Sequence, residues 1–195
     1  MSEPVLTTAQ LNRALLARQG LLERSRMPAL EMIERLAGMQ AQVPTAPYVG
    51  LWTRLEGFDA AELSGLLERR EAARGALMRG TVHLASADDF LAMQPVTGSV
   101  LARSFKSSFK RRIVDADLGA LAAAGRELLA QCHMTRAELV QELQPRFPDL
   151  DSLTIGVGVT ALLPLVQVTP RGMWRRSQQA TWALTEDWLP RSEPP

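Results

Sequence analysis

Cysteine and histidine are scarce in this chain of 195 residues. The single cysteine, Cys132, excludes an internal disulfide framework, and we expect the protein to occupy a reducing cytoplasm. Two histidines and one cysteine are too few for a zinc site, even with His133 next to Cys132. The sequence therefore implies no metal ion and no cofactor.

Long apolar runs and a strong net charge are also missing. No run reaches the ~18 apolar residues of a membrane helix, and the N-terminus lacks the basic and then apolar pattern of a signal peptide. The formal net charge is +1, so no global field draws the protein to nucleic acid or to a membrane. With 46% hydrophobic and 22% charged residues, the composition is typical of a soluble globular protein. We expect no membrane partner, and any affinity for phosphate must come from local basic clusters.

The first half of the chain shows several helix patterns followed by a strand pattern. Apolar residues at helical spacing predict helices that begin at Thr7 or Thr8, at Pro28, at Pro47 and after Phe58–Asp59. The stretch ALMRGTVHLAS then alternates around Arg79–Gly80, which predicts a short hairpin, and Ser86 is a suitable cap for a helix from Asp88 to Met93. Helices followed by a two-stranded ribbon are the outline of a winged helix.

The same outline recurs in the second half. Helices are predicted for Leu118–Cys132, from Thr135 onward, and for Leu153–Leu163. The stretch LVQVTPRGMWRRSQQATWAL predicts two strands joined by a Pro-Arg-Gly turn. The predicted fold is mainly α with short β-hairpins, arranged as tandem winged helix-turn-helix units. We place the N-terminal unit at residues 1–114, the second unit at 115–189 and a disordered tail at 190–195.

Two glutamines, Gln40 and Gln42, stand one residue apart in LAGMQAQVPTAPYVGLWTRL, between a predicted helix end and two prolines. One interpretation is structural: their amides satisfy carbonyl groups at the end of the helix. The other is functional: an amide oxygen is a dipole that can position a water molecule and offer partial negative charge. The pattern alone leaves both interpretations open.

Polar residues on the first predicted hairpin are candidate DNA contacts. Arg79, Thr81 and His83 alternate with Val82, so we expect them on one face of a strand beside the glutamines. The alternative is a solvated face on which His83 is bonded to a neighbour.

Two basic stretches are further candidates for phosphate contact. The segment RSFKSSFKRR holds five cations and no acid, and Phe105 and Phe109 are spaced to anchor it on one helix face. The second wing adds two arginines. The proposed phosphate contacts from both stretches are Arg103, Lys106, Lys110, Arg111, Arg112, Arg175 and Arg176.

The third predicted helix of the second unit, Leu153–Leu163, lacks Arg, Lys and Asn. These side chains are the usual readers of base edges in the major groove. The sequence therefore disfavours a sequence-specific repressor.

Three blocks in this order, LAGMQAQVPTAPYVGLWTRLEGF, LMRGTVHLASADDF and GMWRRSQQATWAL, resemble a known family. It comprises the bacterial winged-helix DNA glycosylases related to the azinomycin-resistance enzyme and to its relative that unhooks interstrand crosslinks. The resemblance implies tandem winged helices curved around duplex DNA. It also implies that a Gln-x-Gln motif, here Gln40 and Gln42, hydrolyses the N-glycosidic bond of alkylated purines. The implied partner is double-stranded DNA with alkylated, bulky or crosslinked purines, and we expect the protein to act as a monomer.

Length separates this chain from that family, whose members are typically much longer and continue with a further winged-helix region after the counterpart of Trp188–Leu189. Two functions therefore stay open: a monofunctional DNA glycosylase, and a non-catalytic winged-helix DNA-binding protein that is a regulator or a truncated family member. A protein-interaction module is a third interpretation, because fold does not fix function. The glutamine pair favours the first and the length favours the second. The sequence does not assign separate roles to the two glutamines.

Overall fold

The computed structural model describes residues 5–176 and 178–190. About half of the chain is helical and the strands are short, as predicted. The helices are α1 (Thr8–Arg18), α2 (Ala29–Arg35), α3 (Ala46–Trp52), α4 (Ala60–Glu68), α5 (Ala87–Ser108), α6 (Leu118–Gln131), α7 (Arg136–Leu143), α8 (Ser152–Leu162) and α9 (Thr185–Trp188). The strands are β1 (Met39–Gln40), β2 (Ala72–Ala76), β3 (Val82–Ser86), β4 (Met134–Thr135), β5 (Leu165–Gln167) and β6 (Thr181–Leu184).

The predicted helix starts are confirmed where a side chain caps the helix. Thr7 and Gln10 form a capping box at α1, and Thr135 and Glu138 form one at α7. The Ser86 hydroxyl accepts a hydrogen bond from the Asp89 N–H at the start of α5. Within the described residues, no helix has the length and apolar character needed to cross a membrane.

Two helices have features that the sequence pattern did not show. The apolar positions of α1 do not face a core, because none of its residues is buried and Leu15 is 58% exposed. The helix predicted for Asp88–Met93 was too short, since α5 continues through Pro95 to Ser108. A proline inside a helix removes one backbone hydrogen bond. Burial of Phe90 and Phe105 on either side of Pro95 anchors α5 and outweighs that loss.

The first hairpin forms where it was predicted, with a different boundary. β2 and β3 are antiparallel, with Ala76 opposite Val82 at the end of the ladder. A 3₁₀ turn follows over Met78–Gly80, and Arg79 there has a left-handed φ of 54°. The expectation that Arg79, Thr81 and His83 share one strand face was therefore wrong, because only His83 lies in a strand.

All six described strands belong to one antiparallel sheet in the order β1-β3-β2-β5-β6-β4. The two halves of the chain join where Arg74 of β2 pairs with Gln167 of β5. The edge strands β1 and β4 were not predicted from the sequence. Their position matters because β1 contains the first glutamine of the motif and pairs with β3.

The second hairpin is closed by a long connection instead of a tight Pro-Arg-Gly turn. β5 and β6 pair from Leu165↔Leu184 to Gln167↔Trp182, which leaves residues 168–180 between them. This connection folds back onto the first half of the chain. The Tyr48 hydroxyl donates a hydrogen bond to the Gly172 carbonyl at 2.8 Å, and the Trp174 N–H donates to Ser64 Oγ at 3.1 Å.

Each half has its own apolar core, and a third cluster joins them along α5. The glycines of α8 allow neighbouring helices to approach closely. A Cβ at Gly158 would lie 3.0 Å from Leu121 Cδ2 and 3.1 Å from Phe105 Cζ. The predicted tail lies outside the described residues except for Pro190.

Candidate functional site

The two glutamines lie on a short edge strand and the loop that follows it. α2 ends at Arg35, and its last carbonyls are satisfied by backbone groups, including a hydrogen bond from the Gly38 N–H to the Ile33 carbonyl at 3.0 Å. Ala41 is 0% exposed, whereas Gln40 and Gln42 are exposed on either side of it. The structure therefore does not use the glutamine amides to cap the helix, and it turns both side chains out of the core.

Gln42 is fixed against β3 by its own side chain. The Ala41 N–H donates to the Val82 carbonyl at 2.7 Å, and the Val82 N–H donates to Gln42 Oε1 at 3.1 Å. The side-chain oxygen thus continues the ladder of β1 where the backbone leaves it. An amide oxygen has two lone pairs, so one remains after Val82 has been satisfied.

Arg74 supports the motif from behind. Its side chain is buried, with 2% exposure, and its Nη2 donates a hydrogen bond to the Ala41 carbonyl at 2.8 Å. Burial, and to a smaller extent the nearby charge of Arg171, lower the pKa of Arg74 to about 10. The guanidinium is cationic at neutral pH even so, and it ties β2 to the middle residue of the motif.

Gln42 and Arg74 border a cleft of about 640 Å³ between the β2–β3 hairpin, α5, the start of α7, and α8. Arg79, Arg136 and Arg171 also line the cleft. The described lining residues include four arginines and no carboxylate. The cleft therefore offers a positive, hydrogen-bonding surface to an anionic ligand.

The hairpin residues predicted to contact DNA separate in the structure. Arg79 is exposed and lines the cleft. Thr81 is partly exposed at the turn, and its carbonyl lies 2.9 Å from His83 Nδ1. His83 is buried, with 7% exposure. Of the three, Arg79 alone is brought next to Gln42 in the cleft lining.

The basic segment at the end of α5 is anchored as predicted, with Phe105 buried and its ring 5.0 Å from that of Phe109. Its cations do not line the cleft, whereas Ser104 and Ser108 do. Arg112 is engaged by Asp151 at 3.3 Å, an acid that the local sequence does not show. All five cations of this segment are exposed: Arg103, Lys106, Lys110, Arg111 and Arg112.

Arg175 and Arg176 are exposed on the connection between β5 and β6 and do not line the cleft. The ring of Trp174 lies 5.0 Å from the ring of Tyr48, and Trp182 is 7% exposed. Trp182 is therefore part of the core, whereas Trp174 packs on Tyr48 with 40% of its surface exposed.

Sequence reasoning missed Arg74 and Arg136 as cleft residues. Arg74 lies in AARGA, a strand of small residues with no periodic signal, and its position depends on pairing with distant Gln167. No group of three or more His, Cys, Asp or Glu side chains suited to a metal ion occurs in the part of the chain that the structure describes.

The chain is similar to a known family in sequence and to a known protein in structure. A family model described as DNA glycosylase AlkZ-like matches residues 33–195. Among solved structures, the chain is similar to Streptomyces sahachiroi DNA glycosylase AlkZ, with a TM-score of 0.68 and 25% identity, over 92% of this chain. The chain spans about half of that relative, 51% of its length. No curated protein sequence matches the chain. The family match includes both glutamines and the residues that line the cleft.

Proposed function

Because this chain belongs to the AlkZ-like DNA glycosylase family, we propose that it hydrolyses the N-glycosidic bond of alkylated purines in DNA and acts in DNA repair. The observation that carries this proposal is the exposed Gln42, held by Val82 at the edge of a cleft lined by arginines. Such a cleft suits a polyanion, and the glutamine lies where a nucleotide of that polyanion would be presented.

The chemistry of the substrate explains how a neutral amide can support hydrolysis of the N-glycosidic bond. A glutamine side chain has no useful pKa and cannot act as an ordinary general base. A purine alkylated at N7 or N3 already carries positive charge and departs as a neutral base, so no acid is required. The sugar that remains is oxocarbenium-like and reacts with a poorly activated water molecule. The protein then needs to position that water and to offer partial negative charge.

We assign the water-positioning role to Gln42 and a supporting role to Gln40. Gln42 lines the cleft, whereas Gln40 does not and instead pairs with His83 through the backbone of β1. The Val82 N–H fixes the Gln42 amide plane, which leaves the second lone pair of Oε1 for a water molecule. Gln40 contributes to the sugar contact or to the placement of its neighbour.

The partner in this proposal is double-stranded DNA, held without strong sequence preference. Arg79 contacts the lesion strand within the cleft, and the exposed cations of Arg103–Arg111 and Arg175–Arg176 contact phosphates outside it. We further infer that the halves 1–114 and 115–189 are two winged-helix units, since each contributes helices and one hairpin to the shared sheet.

The proposal predicts a sharp choice of substrate. Duplexes with one N7-methylguanine and duplexes with one uracil are incubated with the protein, and base release is measured after alkaline cleavage of abasic sites. We expect the methylated purine to be released at least about 100-fold faster than uracil. Uracil is uncharged and would need the help of a general acid, which the proposed mechanism does not supply. Samples without protein correct for spontaneous depurination.

Equal or faster release of uracil would contradict the chemistry. DNA binding without release of either base would instead support a non-catalytic DNA-binding protein.

A further inference from the structure

Arg74 and Arg171 are two neighbouring guanidinium groups that line the cleft. Neither takes part in any ion pair between the described residues. Arg74 Nε and Nη1 and Arg171 Nε are buried without a hydrogen-bond acceptor. The Arg171 Nη1 donates to the Gln178 carbonyl, and the Arg74 Nη2 donates to the Ala41 carbonyl. Three of the buried donors in this pair are therefore unsatisfied.

Burying these donors without hydrogen bonds costs free energy of folding unless an anion accepts hydrogen bonds from them. Buried polar groups are nearly always hydrogen-bonded, and buried charges are paired. Here the charge of each guanidinium also repels the other, and the pKa of Arg74 is lowered by burial and then by Arg171. Gly172, with a φ of 94°, brings the connection directly over Arg74, so that a Cβ there would lie 2.6 Å from Arg74 Cδ. The connection at Gly172 and the guanidinium of Arg171 therefore both lie close to the unpaired cation of Arg74.

The chemistry of the cleft selects the kind of anion. Guanidinium groups match the oxygens of a phosphate with parallel hydrogen bonds. The hydroxyls of Ser104 and Ser108, which line the same cleft, are further phosphate donors. The described lining contains no carboxylate that would repel a phosphate.

The position of the pair links it to the glutamine motif. Arg74 holds the carbonyl of Ala41, and the next residue, Gln42, lines the cleft with Arg74 and Arg171. We propose that Arg74 and Arg171 bind one phosphodiester group of the DNA strand and thereby present the adjoining nucleotide to Gln42. This inference rests on the proposed function, because it takes DNA as the ligand of the cleft.

The test measures whether replacing Arg171 changes the loss of DNA affinity that follows when one particular phosphate is made neutral. The probe is a duplex with a 2′-fluoro-N7-methylguanosine, whose fluorine disfavours the oxocarbenium ion and so prevents cleavage. Individual phosphates around the lesion are replaced one at a time by neutral methylphosphonate. Dissociation constants are measured for the wild type, for Arg171→Gln and for the control Arg35→Gln, an exposed arginine that does not line the cleft.

We expect one methylphosphonate position to weaken wild-type binding about 10-fold, the size of one charge-assisted hydrogen bond. The same position should cost clearly less in Arg171→Gln, because only Arg74 still binds that phosphate, and Arg35→Gln should behave like the wild type. The slope of log affinity against log salt should also fall by about 1 in Arg171→Gln. Equal losses in Arg171→Gln and wild type at every position would overturn the proposal.

A second measurement keeps the test decisive if Arg171→Gln is unstable. Arg171→Lys keeps the charge without the planar donors, and we expect it to retain part of the position-specific loss. Inorganic phosphate is titrated separately while the melting temperature is followed. Stabilisation of the wild type by free phosphate, with no position-specific coupling to DNA, would show a site for a free anion and would reject the DNA phosphate.

The outcomes separate this inference from the proposed function. The coupling measurement needs DNA binding alone, so coupling without base release would retain the phosphate site and remove the glycosylase. Base release without coupling would retain the glycosylase and remove the phosphate site. A complete absence of DNA binding would reject both.

Discussion

Single residues fix the orientation of the glutamine motif through groups that the motif itself does not contain. Arg74 holds the Ala41 carbonyl, and Val82 holds the Gln42 amide oxygen. The side chain that lines the cleft is thus bonded on one side and free for a ligand on the other. Such preorganisation suits a site whose chemistry depends on position more than on acidity.

The chain has a single tyrosine, Tyr48, which connects the two halves at residue scale. Its hydroxyl donates to the Gly172 carbonyl and lies 3.1 Å from Ser64 Oγ. Burial raises its pKa above 10.0, and the hydrogen bonds to Ser64 and Trp174 and the charge of Arg74 oppose this only in part. The fold therefore favours the neutral phenol.

The raised pKa of Tyr48 predicts that the protein becomes less stable at alkaline pH. The folded-state pKa of Tyr48 lies above the unfolded value. The neutral phenol therefore contributes fully to the free energy of unfolding below pH 10.0, and this contribution is lost as pH rises through the folded pKa. Ultraviolet titration of tyrosinate should give a midpoint above 10.0 in the native protein and no signal in Tyr48→Phe. A native midpoint at or below the value of free tyrosine would show that the phenol is not buried as described.

At the scale of elements, β2 is the strand on which close approach matters most. A Cβ at Gly75 would lie 2.5 Å from Phe90 Cζ on α5 and 3.0 Å from the Leu165 carbonyl oxygen on β5. Gly98 offers a matched contrast, because a Cβ there meets nothing within 4 Å and the residue lies inside α5.

Replacing the two glycines with alanine should change the free energy of unfolding in opposite directions. Gly75→Ala should lower the free energy of unfolding by about 1–3 kcal/mol through overpacking. Gly98→Ala should raise the free energy of unfolding by up to about 1 kcal/mol through helix propensity. Urea unfolding of both variants measures this contrast. If Gly75→Ala proved as stable as the wild type, α5 and β5 would not approach β2 as closely as described.

Elements governed by local chemistry were predictable from the sequence. Thr7, Ser86 and Thr135 cap helices because a side chain accepts a nearby backbone N–H, an interaction that short segments reveal. The two-residue strands β1 and β4 leave no periodic signal, and they exist because distant strands supply their hydrogen bonds. The length of α5 was likewise decided by tertiary contacts that outweigh Pro95.

The same division holds for the candidate site. Gln40 and Gln42 were found from the motif and the family resemblance, and the structure leaves both exposed. Two arginines near Gln42 were missed, since Arg74 and Arg136 come from distant segments that meet only in the folded chain. Conversely, the conspicuous basic run from Arg103 to Arg112 does not line the cleft with its cations.

On the scale of the whole molecule, the cleft is a product of both halves. The first half contributes Gln42, Arg74 and Arg79, and the second contributes Arg136 and Arg171. The β2–β5 pairing joins the two halves that supply these groups. We propose that the exposed cations outside the cleft contact phosphates of the DNA backbone.

The central claim is that Gln42 positions the water molecule that attacks the sugar. Single-turnover release of N7-methylguanine from duplex DNA by the wild type and Gln42→Ala tests it most directly. Gln131→Ala is the control, since that exposed glutamine ends α6 and does not line the cleft. We predict that Gln42→Ala slows release about 100-fold without a comparable loss of DNA affinity, and that Gln131→Ala changes neither. An unchanged release rate in a folded Gln42→Ala protein would contradict the account.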